Sequence, residues 1–260
     1  MTRVLTAFLS LLLALTTTVA RADESSLLIY CGITMVRPIT ELARSFEKRE
    51  GLKANAINIA QGGSEDLYQS AKKSRQGDIY FPGEPSYRDK HQAEGLLGDY
   101  KLVGYNQMSI FVQKGNPKKV RPELSELLRK DLILTIGSAE SGSVGQETKQ
   151  VLERARMYSA VMSKAAFLVP DSRSLTISMK RGEADIALNW RATAFFPDNA
   201  PYMDVVDLDT KVADPQALLL IQLTFSENPR LARKFIDYVA SPEGQVVFRK
   251  FGFLDNTGKR

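Results

Sequence analysis

The sequence predicts an α/β fold in two lobes, each a mostly parallel sheet flanked by helices, with two crossover strands joining them. Three observations carry this. Short β-rich runs alternate with amphipathic helical segments along the chain, the pattern of a sheet covered on both faces. One long β-rich stretch, Lys101–Val112, interrupts the alternation, which then begins again. A late β-rich run, Ala217–Phe225, precedes two closing helices and offers a passage back. The expected division is residues 23–105 with 216–260 in lobe 1 and 106–215 in lobe 2.

The chain has 260 residues, enough for two such lobes. Residues 1–22 read as a signal peptide: Arg3 is the basic flank, Val4–Leu15 an apolar run, and Ala20-Arg21-Ala22 the cleavage pattern. Its removal takes away Arg3 and Arg21, so the formal charge of +5 becomes +3. The mature protein is therefore expected to be exported. The charges are interspersed and no basic stripe carries aromatics, which excludes a nucleic-acid partner. The single cysteine, Cys31, reads as a small buried residue at a strand end.

The first unit is a strand from Leu27 to Tyr30, a turn at Cys31-Gly32, and a helix. In that helix Ile39, Leu42, Ala43 and Phe46 fall on one face, and Gly51 closes it. Lys53–Ile59 alternates like a strand. Gln61-Gly62-Gly63-Ser64 leads into a helix with Leu67 and Ala71. Gly77–Phe81 is a short strand, and Pro85 opens a polar helical segment that places His91 in solvent.

After the long run, Pro122–Arg129 reads as a helix and Leu132–Ile136 as a strand. The turn 137–143 leads into a helix carrying Val144, Val151, Leu152 and Ala155, with Ser143 and Gln146 spaced as a capping box. Ala165–Val169 is a strand, Asp171-Ser172 a cap, Leu175–Arg181 a helix and Asp185–Trp190 a strand. Val205–Leu208 and Ala217–Phe225 complete the strands. The final helices run over Asn228–Ala240 and from Ser241-Pro242-Glu243, where serine caps and proline takes the first helical position.

Four turns between strand and helix share one chemical character: Gly32-Ile33-Thr34, Gly62-Gly63-Ser64, Ser141-Gly142-Ser143-Val144 and Asp171-Ser172-Arg173-Ser174. Each offers a hydroxyl and N–H groups at a helix start, two turns in each half of the chain. Ligands of open α/β sheets sit in the crevice at the strands' carboxyl ends. Helix N-termini and hydroxyls there suit a compact anion held without a counter-charge. Capping is the plainer role for any one of these residues. Glu65, Asp66 and Glu84 close to the turns point the other way, to a cationic ligand. Enzyme signatures are thin: there is no G-x-S-x-G elbow and no Walker lysine. One histidine and one cysteine do not make a zinc site, and no cofactor is expected.

The stretches IYCGITMVRPITELARSFEKREG, RGEADIALNW and FIDYVASPEGQVVFRKFGF resemble the molybdate-binding proteins of bacterial ABC importers. The similarity runs over residues 27–254 and implies the class II periplasmic binding protein fold. It implies a tetrahedral oxyanion held by neutral donors, with molybdate or tungstate first and sulfate, phosphate or an organic acid as alternatives. Thr34 stands at the family's first serine and Ser64, or the N–H of Gly63 or Ser64, at its second. The backbone near Gly83 matches a further turn. Val144, beside Ser143, and Ser172 fall at backbone donors of the second lobe, and Trp190 falls where the family has a tyrosine. Ferric-iron relatives use paired tyrosines where this chain has Phe195-Phe196. The resemblance implies a monomer that delivers its anion to a membrane permease and does no chemistry on it. An exported sensor or enzyme on the same scaffold is the rival reading.

Overall fold

A computed structural model describes residues 26–258; the signal-peptide reading of residues 1–22 lies outside them. In chain order the strands are β1 Leu27–Gly32, β2 Ile57–Gly62, β3 Ile79–Phe81, β4 Leu97–Asn106, β5 Met108–Gln113, β6 Leu134–Gly137, β7 Phe167–Val169, β8 Ile186–Trp190, β9 Met203–Asp207 and β10 Gln216–Leu223. The α-helices are α1 Val36–Glu50, α2 Ser64–Ser74, α3 Ser86–His91, α4 Ser143–Arg154, α5 Tyr158–Lys164, α6 Ser172–Lys180, α7 Pro229–Ala240 and α8 Pro242–Lys250.

These form two five-stranded sheets, ordered β2-β1-β3-β10-β4 and β7-β6-β8-β5-β9. In the first, β2, β1 and β3 are parallel, and β10 runs against both β3 and β4. In the second, β7, β6 and β8 are parallel, and β5 runs against both β8 and β9. Four strands of each sheet thus point one way and the crossover strand points the other. This is the two-lobed α/β architecture that the sequence predicts, with helices flanking each sheet.

The long β-rich run divides in two. Asn106 Oδ1 accepts from the Gln107 N–H at 3.1 Å and from the Ala192 N–H at 3.3 Å. The chain leaves the first sheet and enters the second at that point. It returns between β9 and β10. The Gln107 side chain ties the two passages together by donating to the carbonyls of Leu208 (3.1 Å) and Ala213 (2.9 Å).

Burial follows the periodicity. Ile39, Leu42, Ala43 and Phe46 of α1 pack under the first sheet with Phe235 of α7 and Phe248 of α8. Gly51 ends α1 at φ 67°, a conformation glycine adopts freely. The other face of that sheet carries Tyr30, Leu67, Tyr68 and Tyr80. The second lobe has its own core, built on Ile110, Leu134, Val151, Leu152, Leu175 and Leu188.

Several local expectations are corrected. Residues 53–56 form a turn closed by Ala56 N–H donating to Lys53 O (3.1 Å), so β2 starts only at Ile57. The segment expected to be helical over Pro122–Arg129 is a 3-10 turn, Leu124–Leu128. His91 is buried, stacked on Tyr68 with ring centroids 3.7 Å apart, its nitrogens 2.8 Å from Glu94 Oε1 and 3.0 Å from Glu65 Oε2. The capping box of Ser143 and Gln146 does not form, because Gly142 is the N-cap of α4.

Candidate functional site

The loops that leave the carboxyl ends of β1, β2, β3, β6 and β7 meet between the two sheets. They line a small cavity of about 20 Å³, walled by Gly32–Thr34, Gly62–Ser64, Gly83, Gly142–Val144 and Asp171-Ser172. Thr34, Gly63, Ser64, Gly83, Ser143, Val144 and Ser172 are thus brought to one point. Trp190 is not. Its ring is fully buried behind the wall, and its indole N–H donates to Ser143 Oγ at 3.3 Å. Trp190 touches the cavity only through that serine, which corrects the expectation of direct contact.

The lobes are closed on each other. A Cβ on Gly83 would stand 2.3 Å from Ser143 Oγ, and one on Gly63 would stand 3.0 Å from the Ser141 carbonyl oxygen. Arg173 of α6 donates to Gln61 Oε1 at 2.7 Å, and Arg37 of α1 pairs with Asp198.

The hydroxyls are set as donors. A serine hydroxyl has one hydrogen to give and two lone pairs. Ser64 Oγ accepts the Gly83 N–H at 3.0 Å, and Ser143 Oγ accepts from Trp190, so each keeps its own hydrogen for the cavity. Among the described residues neither the Thr34 nor the Ser172 hydroxyl makes a hydrogen bond to protein. Helices α2, α4 and α6 start at the wall, and their first N–H groups have no partner within the helix. Among the described residues no cation lines the cavity. Its one ionisable residue, Asp171, is occupied as the N-cap of α6, accepting from the Ser174 N–H at 2.7 Å.

The acidic residues beside the turns are disposed of differently. Burial favours the neutral form of Glu65, but hydrogen bonds from Lys90, Gln69 and His91 outweigh it and hold its pKa at about 2. Its charge is answered on the side of α2 that faces α3. Glu84 is buried, accepts from Ser86 Oγ at 2.5 Å, and has its pKa raised by burial. Glu147, one helical turn beyond Ser143, is also buried, and Oε2 has no hydrogen-bond partner. Burial, and then the charge of Glu84, pushes its pKa up to about 7. The charge of Glu65 is therefore paired and that of Glu84 and Glu147 opposed by burial, while Asp66 keeps its carboxylate beside Gly63, 3.4 Å from where a Cβ on that glycine would stand. Glu147 was not legible as a buried group, since Gln146 and Thr148 flank it and its neighbourhood reads as a polar helix face.

Comparisons with known proteins place the chain in a family and match its fold. The molybdate-binding protein ModA of Escherichia coli K12 is 22% identical over 245 residues, 90% of this chain and 91% of that one. The periplasmic molybdate-binding protein of Azotobacter vinelandii superposes with a TM-score of 0.70 at 13% identity, over 88% of this chain and 99% of that one. Campylobacter jejuni PEB3 with L-phospholactate bound superposes with a TM-score of 0.70 at 18% identity, over 88% and 100%. The pattern of the bacterial extracellular solute-binding proteins matches residues 27–254. The chain belongs to that family, whose members are binding proteins for transport and not enzymes.

Proposed function

We propose that this protein holds a tetrahedral oxyanion between its lobes and hands it to the permease of an ABC importer, working as an exported monomer in the periplasm. The observation that carries the reading is a cavity walled by hydroxyls and helix N-termini, with no cation among the described residues that line it. Such donors suit an anion that arrives fully charged and is to be released again. Thr34, Ser64, Ser143 and Ser172 supply hydroxyls, and Gly63 and Val144 supply N–H groups. Gly83 lets the lobes approach, and Trp190 holds Ser143. Each hydrogen bond to a charged group is worth roughly 1.5–3 kcal/mol, so about six outweigh the ~4–15 kcal/mol cost of association in all but its upper range. Molybdate or tungstate is the first candidate, supported by the likeness to ModA along nearly the whole chain. A ferric-iron site is disfavoured because Phe195 and Phe196 carry no ligating oxygen.

The test is thermal unfolding of the purified protein with molybdate, tungstate, sulfate, phosphate or ferric citrate. A ligand of the folded state adds about 2.7 kcal/mol at 100 times Kd, a rise of a few degrees in Tm. Thr34→Ala should reduce the rise. Silence from all four oxyanions sinks the reading.

A further inference from the structure

The contact between the lobes joins more than hydroxyls. Gly83 meets Ser143 across the cleft, and each brings a carboxylic acid with it. Glu84 follows Gly83 in the loop after β3, and Glu147 lies one helical turn beyond Ser143 on the same side of α4. Both side chains are buried, with 2% and 1% of their surface exposed. Among charged groups Glu84 acts on Glu147 most strongly, ahead of Arg154, whose guanidinium stands 3.7 Å from Glu147 Oε1. Two acids from opposite lobes therefore share one buried contact.

Their surroundings do not neutralise two charges. Glu147 Oε1 accepts from Gln216 Nε2 at 3.4 Å, while the Arg154 guanidinium donates at 2.8 Å to Asp214, on the passage between β9 and β10. Glu147 Oε2 has no hydrogen-bond partner among the described residues. Glu84 accepts from the Ser86 hydroxyl and main-chain N–H, and the titratable groups that face it on its own lobe are Tyr80, Tyr87 and Asp89, none of them a cation. A buried carboxylate without a partner costs far more than a neutral acid, and a second like charge beside it adds to the cost.

We infer that closing the lobes on an anion takes up a proton from solvent, which the Glu84–Glu147 pair holds between the lobes while the anion is bound. The inference rests on the proposed reading of closure around an oxyanion. On closing, the proton bonds to a carboxylate oxygen of the pair and no other bond changes. On opening, the loop after β3 withdraws from α4, water reaches both acids, and the proton returns to solvent. The proton also reduces the repulsion between the pair and an anion seated at Ser143, one turn away. The closed form holds this proton more tightly than the open form. Affinity is therefore highest in acid and is lost as pH rises through about 7. The plainer role for the two acids is burial within their own lobes in either form, and that role would bind no proton on closure.

Titration calorimetry of the purified protein with molybdate, tungstate and sulfate separates the two, because these anions keep their charge between about pH 6 and 8. Repeating each titration in buffers of different ionisation enthalpy counts the protons taken up. Binding should take up about half a proton or more near pH 6.5, and affinity should fall about threefold to tenfold between about pH 6 and 7.5. Glu147→Gln should remove most of the uptake and hold the affinity near its acid-side value. Glu84→Gln should lower the uptake, because the opposing charge is gone. Phosphate exchanges protons itself in this range, so its uptake is read as the difference between the unmodified protein and Glu147→Gln. Binding without proton uptake overturns the inference and leaves the oxyanion reading standing. Uptake that persists undiminished in both variants overturns it too. Silence from every oxyanion removes both.

Discussion

Trp190 and Ser143 are joined by a single hydrogen bond, indole N–H to Oγ at 3.3 Å, between a fully buried ring and the wall of the interlobe cavity. The indole can only donate, so it fixes the serine as an acceptor on that side and turns the serine's hydrogen toward the cavity. Phenylalanine at 190 would keep most of the packing and lose the donor. Trp190→Phe should weaken anion binding by about 0.5–1.5 kcal/mol, roughly 2- to 13-fold. Titration calorimetry on both single variants and the Trp190→Phe/Ser143→Ala double variant checks the mechanism. The double variant should bind little worse than Ser143→Ala alone, and simple additivity would show that the two residues act separately.

Gly83 faces Ser143 across the cleft. A methyl group there would stand 2.3 Å from Ser143 Oγ and 2.9 Å from its Cβ, closer than side chains come. Gly83→Ala should oppose closure by about 1–3 kcal/mol, which is 5- to 150-fold in affinity. The midpoint of unfolding without ligand should move little, since each lobe keeps its own core. Small-angle scattering with saturating anion should show a larger radius of gyration than the unmodified protein. Ser143→Gly in the same chain removes the obstructing atoms and should restore compactness.

Glu147 gives the protein a pH dependence of definite sign. Its pKa rises from 4.5 to about 7, first through burial and then through the charge of Glu84. The folded form therefore keeps a proton that the unfolded chain has released. Stability from this group is complete below about pH 4.5 and is lost as pH rises through about 7. The full change is about 3 kcal/mol. Glu84 shifts in the same direction, also through burial. Urea unfolding between pH 4.5 and 8 should show stability falling with pH from these groups, and Glu147→Gln should flatten that fall. A slope unchanged by the substitution would show that Glu147 does not carry it.

Much of the architecture was legible because burial imposes a period. The stripe Ile39, Leu42, Ala43, Phe46 and the glycine at 51 fix α1 with no knowledge of what it packs against. What escaped the sequence was settled by partners distant along the chain. Ser143 and Gln146 have capping-box spacing, yet the Ser143 hydroxyl is taken by an indole 47 residues away. His91 lies among polar neighbours that suggest solvent, but the Tyr68 ring and two carboxylates enclose it. The break at Gln107 has no local mark either, because Lys101–Val112 is β-rich on both sides of it. The hydroxyl-bearing turns were readable, and their meeting at one cavity follows from two sheets that share a strand order.

Gln107 has a kinetic consequence. By bonding the outgoing passage to the carbonyls of Leu208 and Ala213, it makes the two connections between the sheets move as one. Any opening of the lobes would then bend both connections together, about one principal axis. On the proposed function, release of a bound oxyanion would follow that one collective step, and ligands of different affinity would share a similar ceiling on their rate of escape. A permease receiving the ligand would then act on one coordinate to empty the site.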